Sequence, residues 1–169
     1  MARETERKFL LVGDSWRASV SHSVVMCQGY LATTETVSIR IRQEGDEAFL
    51  NLKSATLGIS RDEYEFPLPV AGAQEVLERF CAGRCIQKTR HYVHNGQHLW
   101  EIDEFTGANA GLLVAEIELD TEDEAFERPL WLGREVSHER RYYNVCLVDH
   151  PYAAWTADER GSEGGQVVA

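Results

Sequence analysis

The chain of 169 residues lacks any run of about 18 consecutive apolar residues, the length that a membrane-spanning helix requires. Its first residues show no basic stretch followed by an apolar one, so we expect neither a signal peptide nor a membrane partner. Basic residues are scarce: 17 Lys and Arg stand against 28 Asp and Glu, a formal net charge of −11. Because nucleic-acid backbones bind to basic surfaces, we expect no nucleic-acid partner. These absences predict a cytoplasmic protein.

Two kinds of motif are also missing. No CxxC pair occurs among the four cysteines, so we expect packed thiols rather than a metal knuckle at Cys27, Cys81, Cys85 and Cys146. The absence of GxxxxGK[ST] excludes the P-loop as a phosphate cradle. The length and the hydrophobic content of 43% are typical of one domain, which we place at residues 1–155. The polar, glycine-rich segment 156–169 is predicted to be a flexible tail.

Strand patterns dominate what the sequence does contain. Helical spacing is confined to three segments, which predict helices at Ser15–Ser21, Val70–Ala82 and His138–Leu147. Glycine-containing turns such as His94-Asn95-Gly96 predict hairpins between antiparallel neighbours. We therefore predict a mainly β (α+β) fold, an eight-stranded antiparallel β-barrel with helices packed outside. Its strands are Glu4–Val12, Ser23–Leu31, Glu35–Glu44, Glu47–Lys53, Ile59–Pro67, Cys85–Val93, Gln97–Phe105 and Leu113–Leu119.

Charged residues recur with a period of two on these strands, so they share one face of each strand. For any single strand, a solvated outer face is the ordinary interpretation. Seven strands share the pattern, and its like-charge pairs repel each other unless a ligand lies between them. An inverted barrel with a charged interior accounts for the whole set: Glu4, Glu6, Lys8, Arg40, Arg42, Lys53, Glu63, Lys88, Arg90, Asp103, Glu116 and Glu118. The orientation of Arg61 and Glu65 stays open.

Such an interior has two chemical halves. Clustered carboxylates are hard oxygen ligands of the kind that Mg²⁺ or Mn²⁺ prefers. Arginine and lysine side chains neutralise and orient phosphate oxygens, and one arginine can bind two of them. The pattern therefore predicts a metal-bound polyphosphate as the small-molecule substrate.

The order of the charged motifs resembles the CYTH domain, or triphosphate tunnel metalloenzyme, family. The N-terminal Glu4-Thr5-Glu6-Arg7-Lys8 is similar to the Glu-x-Glu-x-Lys strand of that family. Motifs in the same order follow it: Ser38-Ile39-Arg40-Ile41-Arg42, Leu52-Lys53, Arg61-Asp62-Glu63-Tyr64-Glu65, Lys88-Thr89-Arg90, Trp100-Glu101-Ile102-Asp103 and Ala115-Glu116-Ile117-Glu118. The resemblance covers roughly Ala2 to Trp155 and is strongest to short bacterial members, which are typically tripolyphosphatases.

The resemblance implies a role for each group of residues. Glu4, Glu6, Glu116 and Glu118 would be metal ligands, with Asp103 contributing directly or through water. Glu63 would hold a second metal or orient water, and Lys8, Arg40 and Arg42 would act with it in catalysis. Tyr30 is either a tunnel tyrosine or an ordinary packed aromatic residue. The phosphate-binding set would be Lys8, Arg40, Arg42, Lys53, Lys88 and Arg90.

Several alternatives stay open at this point. The substrate could instead be thiamine triphosphate or a nucleotide, or the chain could be an adenylate cyclase of the same superfamily. A non-catalytic polyphosphate-binding module is a second class, against which the retained carboxylate pairs speak. A purely structural barrel would leave buried charge without compensation. The sequence decides neither whether the metal is Mg²⁺ or Mn²⁺ nor whether the chain forms a homodimer.

Overall fold

The computed structural model describes residues 2–55 and 58–161. The described helices are α1 (Val70–Phe80), α2 (Asn144–Asp149) and α3 (Ala157–Gly161), with 3-10 turns at Ser15–Ser19, Gly107–Asn109, Arg140–Tyr142 and Tyr152–Ala154. No helix among these residues is long and apolar enough to cross a membrane. The strands are β1 (Ala2–Leu11), β2 (Val20–Thr33), β3 (Val37–Glu44), β4 (Glu47–Ser54), β5 (Ser60–Pro67), β6 (Cys85–Asn95), β7 (His98–Phe105), β8 (Leu113–Glu118) and β9 (Leu132–Glu135).

The sheet closes on itself through β1. Its strand order is β5-β4-β3-β2-β6-β7-β8-β1-β9, and an additional pairing joins β5 to β1. One edge of β1 pairs with β8, whereas the other edge is shared between β5 at Ala2–Thr5 and β9 near Phe9 and Leu11. All these pairings are antiparallel, so the predicted eight-stranded antiparallel barrel is confirmed. The ninth strand has only four residues, too few for an alternation to be recognised in the sequence.

The apolar faces of the strands point outward, as an inverted barrel requires. Helix α1 lies across β2, β3 and β4, where Ala73 and Leu77 pack against Ile41 and Ala48. On the opposite wall, Trp100 and other apolar side chains are buried in a second outward-facing cluster that includes Trp131 from the segment before β9. The hydrophobic effect therefore stabilises the outside of this barrel and leaves its inside free for charge.

One end of the barrel is closed by the C-terminal part of the chain, residues 136–147, which we call the cap segment. The backbone of β1 holds it in place: Val136 N donates to Lys8 O at 2.8 Å, and Lys8 N donates to Ser137 Oγ at 2.9 Å. Tyr142 and Leu147 are buried against the inward-facing Leu10. The inner face of β1 thus changes from charged to apolar where the cap segment meets it.

Three local predictions differ from the structure. The segment Ser15–Ser21 forms a 3-10 turn only as far as Ser19, because β2 begins at Val20. The helix predicted at His138–Leu147 is reduced to a 3-10 turn and the short α2. Within the predicted flexible tail, Ala157–Gly161 form α3, and residues 162–169 lie outside the described residues, so the domain boundary at 155 stays a prediction.

The contact between α1 and β2 gives a test of the packing. A Cβ at Gly29 would lie 2.5 Å from Cys81 Cβ and 2.8 Å from Leu77 Cδ2, so Gly29→Ala forces α1 away from the sheet. We expect a loss of about 1–3 kcal/mol in the free energy of unfolding, measured by urea denaturation. Gly72→Ala, in α1 with no atom within 4 Å of its added Cβ, is the matched control and should gain up to about 1 kcal/mol. Equal effects of the two variants would contradict this packing.

Candidate active site

A cavity of about 420 Å³ lies inside the barrel. Opposite charges balance in its lining, so the net charge of −11 resides on the rest of the chain. The lining comprises eight carboxylates, Glu4, Glu6, Glu44, Glu63, Glu65, Glu101, Glu116 and Glu118, and eight cations, Lys8, Arg40, Arg42, Lys53, Arg61, Lys88, Arg90 and Arg140.

Strand register brings these side chains together. Glu6 lies opposite Glu118 and Lys8 opposite Glu116 on the β1–β8 ladder, while Lys53 lies opposite Glu63 on β4–β5. Because successive side chains alternate between faces, inward charges can flank an outward apolar residue, as at the fully buried Ile117 between Glu116 and Glu118. The period of two seen in the sequence therefore becomes a continuous ring of charge.

Lysine and arginine side chains bridge the carboxylates of β1. Lys8 Nζ lies 2.5 Å from Glu6 Oε1 and also contacts Glu116. Arg61 bonds both Glu4 and Glu6, at 3.0 and 2.8 Å. Burial alone would raise the pKa of Glu6, but the positive charges of Lys8 and Arg61 hold that pKa well below its usual range. Glu6 is therefore ionised inside the barrel.

Asp103 stands behind the cavity lining. Its carboxylate is fully buried and accepts two hydrogen bonds from Arg90 at 2.8 Å, in addition to one from Lys88. Arg90 also forms an ion pair with Glu116, with its Nη2 atom 2.7 Å from Glu116 Oε2. Burial and the neighbouring Arg90 lower the pKa of Lys88 to about 8, while Asp103 works in the opposite direction. In this arrangement Asp103 positions two phosphate-binding candidates.

The two arginines of β3 carry buried Nε donors that make no hydrogen bond to any described residue, although Arg42 Nε lies 3.6 Å from Glu44 Oε2. The Nε atoms of Arg40 and Arg42 are buried and make no hydrogen bond within the described part of the chain. Arg42 Nη2 is held by Glu65 at 2.7 Å, and Arg40 Nη1 reaches Gln28 at 3.4 Å. Because an unpaired buried donor is unfavourable, these atoms suit an incoming anion such as a phosphate oxygen.

Only two of the charged residues in the lining have no oppositely charged group within salt-bridge distance among the described residues. They are Glu118 and Arg140, whereas every other member forms at least one ion pair. The pKa of Glu118 is raised by partial burial and by the negative charges of Glu4 and Glu6. A cation placed among these three carboxylates would relieve that repulsion.

The donor set therefore fits a hard metal ion in its chemistry. Glu4, Glu6, Glu116 and Glu118 offer only carboxylate oxygens, which suit Mg²⁺ and Mn²⁺. In the described residues, no group of three or more potential ligands is already gathered at ligand spacing, because lysine and arginine partners hold most of the carboxylates. Metal binding would exchange these cationic partners for the metal.

The structure gathers all the predicted site residues around this cavity, with Asp103 just outside the lining. Tyr30 also lines the cavity and is buried, and both residues left open, Arg61 and Glu65, face inward. Sequence reasoning missed Glu101, although it shares the strand face of Asp103. Its pKa is raised to about 7 by burial and by neighbouring carboxylates, against the effect of Arg90. Arg140 was also missed, because it lies in the segment His138–Leu147 that was predicted to be helical and outside the alternating charges of the strands.

Comparisons with known proteins agree with this geometry. A model of the CYTH domain matches residues 2–146. An inorganic triphosphatase of Acetivibrio thermocellus is 42% identical over 152 residues, covering 90% of this chain and 97% of the relative. An inorganic triphosphatase of Nitrosomonas europaea is 40% identical over 150 residues, covering 86% and 96%. The crystal structure of an inorganic triphosphatase superposes with a TM-score of 0.64 at 37% identity, covering 88% and 95% of the two chains.

Asp103→Asn tests the buried part of the network. The substitution keeps the shape of the side chain but removes the carboxylate partner of Lys88 and leaves Arg90 with Glu101 and Glu116, so we expect the free energy of unfolding to fall by about 3 kcal/mol or more. Urea denaturation of the metal-stripped protein measures it. The exposed Asp62→Asn is the control and should stay within about 0.5 kcal/mol of the parent chain. A similarly small change in Asp103→Asn would contradict the supporting role of this carboxylate.

Proposed function

The chain belongs to the CYTH domain family, and from that premise we propose that it hydrolyses inorganic tripolyphosphate to phosphate and diphosphate inside the barrel. The observation that carries the proposal is the cavity itself, in which eight cations and eight carboxylates face one another. Two relatives at 40–42% identity are inorganic triphosphatases, and the match extends over nearly their whole length. Triphosphate tunnel metalloenzymes of this family are metal-dependent, and we propose Mg²⁺ or Mn²⁺ here.

Substrate binding would fall to the cationic wall. The Nε atoms of Arg40 and Arg42, which make no hydrogen bond among the described residues, can donate to phosphate oxygens without breaking one. Lys8, Lys53, Lys88 and Arg90 would join them as the phosphate displaces their carboxylate partners. Arginine–phosphate bonds are charge-assisted and directional, so this wall would fix the chain of phosphates in one register.

The carboxylate wall would hold the metal. Glu4, Glu6, Glu116 and Glu118 are the candidate ligands, with Asp103 holding Lys88 and Arg90 behind them. A divalent metal bound there would neutralise charge on the phosphates and on the leaving diphosphate. The ammonium group of Lys8, which lies between Glu6 and Glu116, would then be free to turn toward a phosphate.

Glu63 is suited to orienting water. Burial would raise its pKa, but Lys53 lowers it to about 2, so its carboxylate is an acceptor at neutral pH. Asn51 fixes it with a 2.9 Å hydrogen bond. In the proposed reaction the water oxygen bonds to the terminal phosphorus, the bridging P–O bond breaks, and its electron pair leaves with diphosphate. A proton of the water is released, and no nucleophilic side chain is required.

Phosphate release by the metal-stripped protein tests the proposal directly. Tripolyphosphate, thiamine triphosphate, ATP and pyrophosphate would be supplied in parallel, each with and without Mg²⁺ or Mn²⁺. We expect metal-dependent release that is fastest with tripolyphosphate. A preference for an organic triphosphate or the formation of cyclic AMP would refute the proposed reaction in favour of a different one. Tight binding without turnover would refute it in favour of a binding module.

Glu118→Gln is the cleanest test of the metal ligands. Removing Glu6 or Glu116 would also take away one of the two carboxylate partners of Lys8, whereas Glu118 has no ion pair to lose among the described residues. We expect the half-saturating metal concentration to rise by roughly 10- to 100-fold, as for other changes around metal sites, with unfolding unaffected. Calorimetric titration with Mn²⁺ measures the binding without reference to activity.

Glu75→Gln, on the outer surface of α1, is the matched control for the loss of one carboxylate. It should bind Mn²⁺ like the parent chain. Unchanged Mn²⁺ affinity in Glu118→Gln would remove Glu118 from the metal site.

A further inference from the structure

We propose that Arg140, on the cap segment, binds one terminal phosphate of the substrate chain and so fixes how far the polyphosphate extends along the barrel. This role rests on the proposed function and deepens it. It makes Arg140 a substrate-positioning residue that belongs to neither the predicted site nor the strand pattern. The substrate class recognised is a linear polyphosphate with a free, doubly charged terminal group.

The pairing pattern in the cavity singles Arg140 out. The other seven cations of the lining contact carboxylates, so an anion that binds them shares or displaces a carboxylate partner. Arg140 has no carboxylate within salt-bridge distance among residues 2–55 and 58–161, and its guanidinium lies beside the thiol of Cys146. An anion can therefore bind it without competition.

The position of Arg140 is fixed relative to the rest of the site. The segment that carries it is bonded to the backbone of Lys8 through Val136 and Ser137, as described above. Tyr143 Oη then donates to Ser137 O at 2.7 Å, which closes the loop around the turn. The next residue, Arg141, points elsewhere, because its guanidinium donates to Glu139 and to Glu159 O. Of these two consecutive arginines, only Arg140 faces the cavity.

The ends of the cavity differ in a way that would place the two termini of the substrate in different surroundings. Along β1 the inward side chains run Glu4, Glu6, Lys8 and then Leu10, which joins the apolar cluster beneath the cap segment. Along β8 they run Glu118, Glu116 and Val114, and Val114 joins the same cluster. The unpaired carboxylate, Glu118, therefore lies away from the cap, and the unpaired cation, Arg140, lies on it. A metal held near Glu118 and a terminal phosphate at Arg140 would hold the chain in one register between them.

The test compares Arg140→Gln and Arg140→Lys with Arg79→Gln, an exposed arginine on α1 that also loses one positive charge. Steady-state kinetics with tripolyphosphate should show KM raised about tenfold in Arg140→Gln and kcat within about twofold of the parent chain. The reason is that the variant loses a charge-assisted hydrogen bond that binds the substrate equally before and during the reaction. Arg140→Lys should recover much of the KM. Calorimetric titration with tripolyphosphate, without metal, should show the same order of affinities.

Each outcome decides the role of Arg140. An unchanged KM in Arg140→Gln, an equal rise in Arg79→Gln, or a fall in kcat at constant KM would overturn it. If the parent chain binds tripolyphosphate without hydrolysing it, the proposed function fails, and the calorimetric comparison still decides: weaker binding by Arg140→Gln supports the role, and equal binding overturns it. If the parent chain does not bind tripolyphosphate at all, both proposals fail.

Discussion

The structure depends on the pairing of buried charges inside a closed sheet. A carboxylate or ammonium group removed from water is strongly unfavourable unless an opposite charge lies beside it. Here the register of β1 with β8 places Lys8 between Glu6 and Glu116, and the register of β6 with β7 places Arg90 beside Asp103. Outward apolar packing supplies the stability, while these pairs allow the interior to stay polar.

The same pairing explains how a site for an anion and a metal can exist before either arrives. In the proposed site, each lysine or arginine would occupy the place of the metal beside a carboxylate, and each carboxylate would occupy the place of a phosphate beside a cation. Binding both ligands together would then exchange one set of ion pairs for another and leave no buried charge alone. The Nε atoms of Arg40 and Arg42 make no hydrogen bond among the described residues, so an anion that binds there would displace the fewest existing bonds.

Most of the barrel and most of its lining could be predicted from the sequence, because both follow from the period of two that a strand imposes. Glu4, Glu6 and Lys8 face inward for the same reason that Phe9 faces outward. The missed parts lack that period. Strand β9 is too short to show it, and Arg140 lies in an irregular turn whose place depends on hydrogen bonds to Lys8 from residues more than a hundred positions away. Glu101 was missed for a different reason. The alternation of the strand predicts which face Glu101 occupies, but it does not predict that Glu101 lies opposite Glu116 on β8.

The balanced lining leaves the net charge of −11 on the remainder of the chain, which includes the outer surface. A free polyanion approaching the barrel from solution would meet a repulsive long-range field before it reached the attractive cavity. Dissolved salt screens such a field beyond a Debye length of about 10 Å. The association rate of the free polyanion would therefore rise with ionic strength. A substrate that arrives already complexed with a divalent cation would carry less negative charge and be repelled less. The exterior would thus act as a kinetic filter that favours the metal complex over the bare anion.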